Sequence, residues 1–277
     1  MKLSGILSLL IFLSAISVAS GQINYGNNPA AGHYFNVGGC KLYYEVYGKG
    51  EPVVLLHGGV YGYISEFAPF IEKLSSSYQV ICIATRGHGK SEIGHVQYTY
   101  NQRADDAYKV IRSITQDSAT VLGFSDGGFA SLKLAALHPE LMKKLIVIGA
   151  GDRSKQSAMK GKKEQYTPEN LMKAAPEYFK SCLALMPEPD RWGESLSMLN
   201  KMYGEELMST ETFEKIKCPT LIMGGDRDEY ISLEDMVNCK KSIADARLAI
   251  IPGCGHVVFY CNFPMVWEGI QAFLNNK

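Results

Sequence analysis

The chain carries no surplus of charge: 28 Lys and Arg balance 28 Asp and Glu, and the basic residues are scattered along it. A nucleic acid or an anionic membrane surface requires a concentrated cationic face, so neither is expected as a main partner. Seven cysteines (Cys40, Cys82, Cys182, Cys218, Cys239, Cys254 and Cys261) form no Cys-x-x-Cys pair and no zinc-site spacing, so no metal is expected. Low-complexity tracts and internal repeats are lacking too, and 46% of the residues are hydrophobic, which is a globular composition. A chain of 277 residues buries enough surface to fold without a metal or a disulfide framework.

The apolar run Ile6 to Val18, broken only by Ser, is shorter than the roughly 20 residues that span a bilayer. With Met1-Lys2 before it and the small residues Val18-Ala19-Ser20 after it, residues 1–20 read as a signal peptide. No Cys follows at residue 21, so no lipid anchor is marked, and the expectation is export, periplasmic or secreted, without a stable membrane anchor. Cys82 lies within the apolar run Val80-Ile81-Cys82-Ile83 and reads as a core residue. An oxidising compartment permits a disulfide, for which Cys254 with Cys261 or Cys218 are candidates.

Residues 21–37, polar with Gly, Asn and Pro, read as a linker. Lys41 to Tyr47 is aromatic and β-branched and is bounded by Gly48-Lys49-Gly50, which predicts an antiparallel edge strand. Six short apolar runs follow: Pro52–Leu56, Val80–Ala84, Thr120–Gly123, Leu145–Ile148, Thr220–Met223 and Leu248–Ile251. Each fits a strand buried on both faces. Helical spacing separates them over Ile64–Ser76, Tyr100–Thr115, Gly127–Leu137 and Leu233–Ile243, and resumes over Pro264–Asn275. This alternation predicts an α/β protein built on a doubly wound, mostly parallel sheet. Residues 151–216 break it with helical periodicity after the strand ending at Ile148. They read as a helical cap between a first core part, 38–150, and a second, 217–277. Trp192 and Tyr203, with Met186, Met198, Leu199 and Met202, are its candidate pocket-facing residues.

Gly123-Phe124-Ser125-Asp126-Gly127-Gly128 matches Gly-x-Ser-x-Gly between an expected strand and an expected helix. Glycines at 123 and 127 permit the sharp turn that presents a serine above a sheet, which makes Ser125 the candidate nucleophile. A hydroxyl is a weak nucleophile and needs a base. Of six histidines, His256 follows the last core strand, in a loop expected above the carboxyl ends of the strands. The acid is sought in Gly225-Asp226-Arg227-Asp228. Asp228 lies deeper in the loop and is chosen, leaving Asp226 to pair with Arg227 or cap the turn. The order Ser, Asp, His belongs to this architecture. The turn His57-Gly58-Gly59 follows the strand Val53–Leu56, so the backbone N–H of Gly59, with that of Asp126, is the candidate oxyanion hole, and His57 reads as structural. Arg86-Gly87-His88-Gly89-Lys90-Ser91 lacks the spacing of nucleotide-binding loops and reads as a structural turn.

Together these motifs resemble the α/β-hydrolase superfamily, over about residues 38–277, and in particular its branch of small esterases, peptidases, dehalogenases and perhydrolases. Ser125 excludes the dehalogenase chemistry, which needs an Asp nucleophile; Thr85 stands where many members carry Asp. The Ser-Asp-Gly-Gly elbow is similar to that of the valacyclovir hydrolase-like group, which cleaves amino-acid esters. The resemblance implies no cofactor. Asp126 has two open readings, a carboxylate that binds a substrate ammonium or a helix-start residue set against the dipole. The expected function is a serine hydrolase cleaving carboxylic esters of small molecules through an acyl-enzyme. An amidase or iminopeptidase stands second, and a catalytically weak ligand-binding protein third; export disfavours the third.

Overall fold

The computed structural model describes residues 23–154 and 165–276. The signal-peptide expectation for residues 1–20 therefore lies outside the described residues, as does part of the cap, 155–164.

Eight strands form one sheet in the order β1-β2-β4-β3-β5-β6-β7-β8. They are β1 (Gly32–Asn36), β2 (Lys41–Tyr47), β3 (Glu51–Leu56), β4 (Tyr78–Ile83), β5 (Ala119–Phe124), β6 (Met142–Ile148), β7 (Thr220–Gly225) and β8 (Ala246–Ile251). Only β2 runs against its neighbours; every pairing from β4 to β8 is parallel. β5 and β7 are buried at all six positions, as their unbroken apolar runs require of strands covered on both faces. β8 ends the sheet, and most of its residues are half-exposed.

Helices α1 (Ala68–Leu74) and α10 (Phe263–Asn275) cover one face through Phe70, Ile71, Val266 and Ile270. Helices α2 (Tyr100–Ile114), α3 (Asp126–Leu137) and α8 (Leu233–Ser242) cover the other through Val110, Ile111, Leu132 and Met236. Between β6 and β7 lie α4 (Pro168–Ala174), α5 (Pro176–Leu185), α6 (Trp192–Glu205) and α7 (Thr210–Phe213), where helical periodicity replaced strand patterning in the sequence. Their buried residues Leu196, Leu199 and Met202 join the α2–α3 core, so the helical layer is seated on the sheet domain. Polar contacts tie it down as well: Glu188 accepts the Ile93 N–H at 2.7 Å, and Arg191 donates to the Gly94 carbonyl at 2.7 Å. The short helix α9 (Val258–Cys261) precedes α10. No helix among the described residues is long and apolar enough to cross a membrane.

Two expectations need correction. Residues 21–37 are not simply a linker: β1 occupies 32–36 and takes the sheet edge, leaving β2 one strand inside it. The preceding turn is bound to the sheet by Glu45, a fully buried carboxylate that accepts from the N–H groups of Gly26 and Asn28 and from the hydroxyls of Tyr43 and Tyr47. A buried carboxylate needs such donors, and Gly and Asn let the chain fold back to supply two of them.

The parallel register sets up the site. Leu56 pairs with Ile83 and Gly123, Phe124 with Ile148, Ile148 with Met223, and Gly225 with Ile251. The carboxyl ends are thus level, and the segments following β3, β4, β5, β7 and β8 open on the same end of the sheet. Such an end is where open α/β sheets hold their ligands.

Candidate active site

Ser125 stands on the turn from β5 into α3 with φ +52°, the only non-glycine residue at positive φ among those described. Such a conformation costs on the order of 1–3 kcal/mol and persists only where the surroundings enforce it. They do: the Ser125 N–H donates to the Ile148 carbonyl at 2.8 Å and the Phe129 N–H to the Ser125 carbonyl at 3.0 Å. The flanking glycines are sterically required. A Cβ on Gly127 would lie 2.0 Å from the Leu56 carbonyl oxygen, and one on Gly123 would lie 2.2 Å from the Gly127 carbonyl oxygen.

His256 Nε2 lies 2.8 Å from Ser125 Oγ. Its Nδ1 lies 3.0 and 2.9 Å from the two oxygens of Asp228, whose side chain is wholly buried. An ionised carboxylate can only accept, so Nδ1 carries the proton and Nε2 is left to accept from the Ser125 hydroxyl. Asp228 is itself fixed by the N–H groups of Tyr230 and Ile231, at 2.9 and 3.0 Å on Oδ1. Asp226 instead accepts the Gly253 N–H at 2.6 Å and holds the neighbouring turn, which separates the two competing aspartates by role. Tyr230 and Phe124 flank the imidazole, with ring centroids at 4.9 and 5.1 Å.

The loop that carries His256 is closed by a disulfide between Cys254 and Cys261, one of the two pairings considered from sequence. The link constrains the unfolded chain and holds the segment between β8 and α10. Replacing both cysteines with serine is expected to reduce stability by about 2 kcal/mol, measured by urea unfolding under oxidising conditions.

Gly59 and Asp126, the two residues of the oxyanion reading, lie next to each other. A Cβ on Gly59 would lie 3.3 Å from Asp126 Cβ and only 1.9 Å from the Tyr203 hydroxyl, so glycine is what admits the cap's tyrosine to this corner. The first N–H groups of α3 lack intrahelical acceptors and favour negative charge in front of them. His57 is buried and structural. Its Nε2 accepts the Thr85 N–H at 3.0 Å while Nδ1 donates to the Gly58 carbonyl at 2.6 Å. Burial lowers its pKa to about 4, so it stays neutral. Thr85 Oγ1 sits between His57 and His88, at 3.3 and 3.1 Å. Arg86 pairs with buried Asp106 at 2.7 Å, a purely internal ion pair.

Trp192 is placed differently from Tyr203. It packs on Phe179 and lines a cavity with Leu196, Leu199, Met186 and the 87–89 turn. Neither Ser125 nor His256 is on that cavity's wall. The ammonium reading of Asp126 also meets an obstacle. The carboxylate is buried and faces Arg103, with Nη2 3.2 Å from Oδ2. Burial pushes its pKa up, while Arg103 and Arg153 pull it down. Arg103 belongs to none of the sequence motifs, yet its position carries a signal. On α2 it falls among the buried positions Tyr100, Ala104, Ala107 and Ile111, a charged residue on an apolar stripe.

Glu66 lies outside those motifs as well. Its Oε1 accepts the Gly58 N–H at 2.6 Å, next to Gly59. Burial raises its pKa to about 8, and the Asp126 charge pushes the same way. A carboxyl raised this far contributes stability that is complete below the ordinary range near 4.3 and is lost as pH rises through about 8. Glu66→Gln keeps the acceptor and removes the titration. Wild type is expected to lose stability relative to this variant between about pH 4 and 8, with little further change above that, read from paired denaturant midpoints.

The model for the alpha/beta hydrolase fold matches residues 51–180. The chain is 28% identical over 243 residues to the 2-hydroxy-6-oxo-6-(2'-aminophenyl)hexa-2,4-dienoic acid hydrolase of Metapseudomonas resinovorans, covering 80% of this chain and 83% of that one. It is 22% identical over 272 residues to the serine hydrolase BPHL of Homo sapiens, covering 91% of each. The enol-lactonase of Burkholderia xenovorans superposes with a TM-score of 0.70 at 21% identity, over 88% of this chain and 100% of that one. With the eight-stranded sheet and the strand–serine–helix turn in place, these similarities show the α/β-hydrolase fold, and all of them indicate the α/β-hydrolase superfamily.

Proposed function

We propose that this protein is a serine hydrolase that cleaves carboxylic esters of small molecules through an acyl-enzyme. The observation that carries the reading is the continuous chain of hydrogen bonds from Ser125 Oγ to His256 Nε2, and from Nδ1 to the buried Asp228 carboxylate. His256 takes the hydroxyl proton as Oγ attacks the ester carbonyl. The N–H groups of Gly59 and Asp126 receive the charge on the carbonyl oxygen. The imidazolium returns the proton to the departing alkoxide, releasing the alcohol and leaving the acyl group on Oγ. Water, deprotonated by the same imidazole, then attacks the acyl carbonyl; the acid leaves and Ser125 regains its proton. Asp228 holds the tautomer and stabilises the imidazolium. The helices between β6 and β7 act as a lid, and Tyr203 is the residue they bring to the reacting corner.

Export belongs to the same proposal. It is supported by the Cys254–Cys261 disulfide, a bond that persists in oxidising compartments. Hydrolase names among the relatives support the reaction class.

The test is rapid mixing with p-nitrophenyl acetate. A burst of one p-nitrophenol per active chain, and an acetyl group on the Ser125 peptide in acid-quenched samples, are expected. A folded protein that shows neither, or a Ser125→Ala variant that shows the burst, overturns the assignment.

A further inference from the structure

The site contains charge that the ester reaction alone does not use. Arg103 and Asp126 are buried against each other, each side chain 2% exposed. Nevertheless none of the three Arg103 side-chain nitrogens donates a hydrogen bond, and neither Asp126 oxygen accepts one. Arg153 adds a second guanidinium to the field of Asp126, and its Nε is likewise buried without an acceptor. Its Nη2 donates to the Tyr203 carbonyl. Buried donors on a charged group are costly unless something accepts from them.

Aromatic residues wall the cluster. The Arg103 guanidinium lies over the Tyr98 ring at 5.5 Å, the Arg153 guanidinium over Phe129 at 5.7 Å, and Tyr100 packs on Phe129 at 5.3 Å. Glu206, near Tyr100, already accepts the Tyr100 N–H and faces Lys133. Two cations thus share one carboxylate. A substrate ammonium would add a third cation, whereas a carboxylate would bring the balance to two against two. It would also offer the planar pair of acceptors that a guanidinium fork matches.

We propose that Arg103 and Arg153 form a subsite for a carboxylate carried on the acyl part of the substrate, so that the preferred substrates are monoesters of dicarboxylic acids. The inference rests on the ester-hydrolase reading. The acyl side follows from the geometry. His256 must protonate the departing oxygen, and its neighbours Asp228, Tyr230 and Phe124 share no residue with the arginine cluster. The cluster instead adjoins Asp126 and, through Tyr203, Gly59, the pair assigned to the carbonyl oxygen.

The test compares mono-p-nitrophenyl adipate with p-nitrophenyl hexanoate, which match in chain length and leaving group, and with p-nitrophenyl 6-aminohexanoate. Wild type is expected to prefer the adipate over the hexanoate by about 10- to 100-fold in kcat/KM, the worth of charge-assisted hydrogen bonds in a buried site. Asp126→Asn removes the competing carboxylate and keeps or raises that preference. Arg103→Met combined with Asp126→Asn leaves no orphaned charge between the two positions and should reduce the preference to near unity. Arg103→Lys, which keeps the charge without the fork, should fall between. Equal use of the three esters by wild type, preference for the amino ester, or an undiminished acid preference in the double variant overturns the proposal.

Calorimetric titration with adipate separates this inference from the reading beneath it. Wild type that hydrolyses the hexanoate but neither prefers the acid nor binds adipate sinks the subsite alone. Wild type that hydrolyses nothing but binds adipate through Arg103 sinks the ester reaction and retains the carboxylate site. Wild type that does neither sinks both. A double variant that fails to give native circular dichroism leaves the decision to Asp126→Asn and Arg103→Lys, whose opposite expected shifts suffice.

Discussion

Ser125→Ala is expected to lower kcat for p-nitrophenyl acetate by about 10⁵- to 10⁶-fold, the effect of removing the nucleophile from a Ser-His-Asp unit. The loss should appear in kcat with little change in apparent binding, because the hydroxyl forms its decisive bond only as the reaction proceeds. Unfolding does not account for such a result. The backbone bonds that enforce the turn, Ser125 N–H to Ile148 and Phe129 N–H to the Ser125 carbonyl, involve no Oγ and survive in alanine. Alanine also tolerates positive φ about as badly as serine, so the strained turn keeps its shape and its cost. A small residual rate above water is expected from the N–H groups of Gly59 and Asp126, on the order of 10³-fold. Single-turnover measurements on protein purified apart from wild type give the number. A loss of less than about tenfold would mean that another group attacks the ester.

How far the sequence revealed this protein depends on which interactions are local. The strand runs and the elbow were legible because a buried parallel strand is uniformly apolar and a strand-to-helix turn at positive φ demands glycines close by. His256 was legible from its place after the last strand. The choice between Asp226 and Asp228 rested on loop depth, and the structure distinguishes them by partners: Gly253 for one, His256 for the other. β1 was missed because Gly-His-Tyr-Phe-Asn lacks a strong alternating pattern and is stabilised by pairing with β2 rather than by its own propensity. The arginine cluster could not be assembled from spacing, since Arg103, Asp126 and Arg153 come from α2, the start of α3 and the segment after β6. Nothing in their local sequence states that these charges meet. Tyr203 was chosen as a cap residue, but its contact with Gly59 is a long-range packing result.

Asp228→Asn is expected to lower kcat by about 10⁴-fold while leaving the fold intact, and the reason lies in the two oxygens of the carboxylate. Oδ1 accepts the N–H groups of Tyr230 and Ile231 as well as facing His256, and the side chain is wholly buried. In the asparagine variant the amide oxygen takes over those two backbone donors, since leaving them unpaired in a buried site is costly. The amide nitrogen, which can only donate, is then turned toward His256 Nδ1. The imidazole must accept there and carry its proton on Nε2, 2.8 Å from Ser125 Oγ, where it can no longer act as the base. The hydrogen bonds are all kept but the two made by the imidazole, to residue 228 and to Ser125, run the other way, so the Tm should change far less than the rate. Asp226→Asn provides the contrast. Its oxygen continues to accept the Gly253 N–H, and no contact joins it to the imidazole, so its kcat should stay within about threefold of wild type. Equal losses in the two variants would mean that the loop's net charge, and not the Asp228–His256 pair, supports the base.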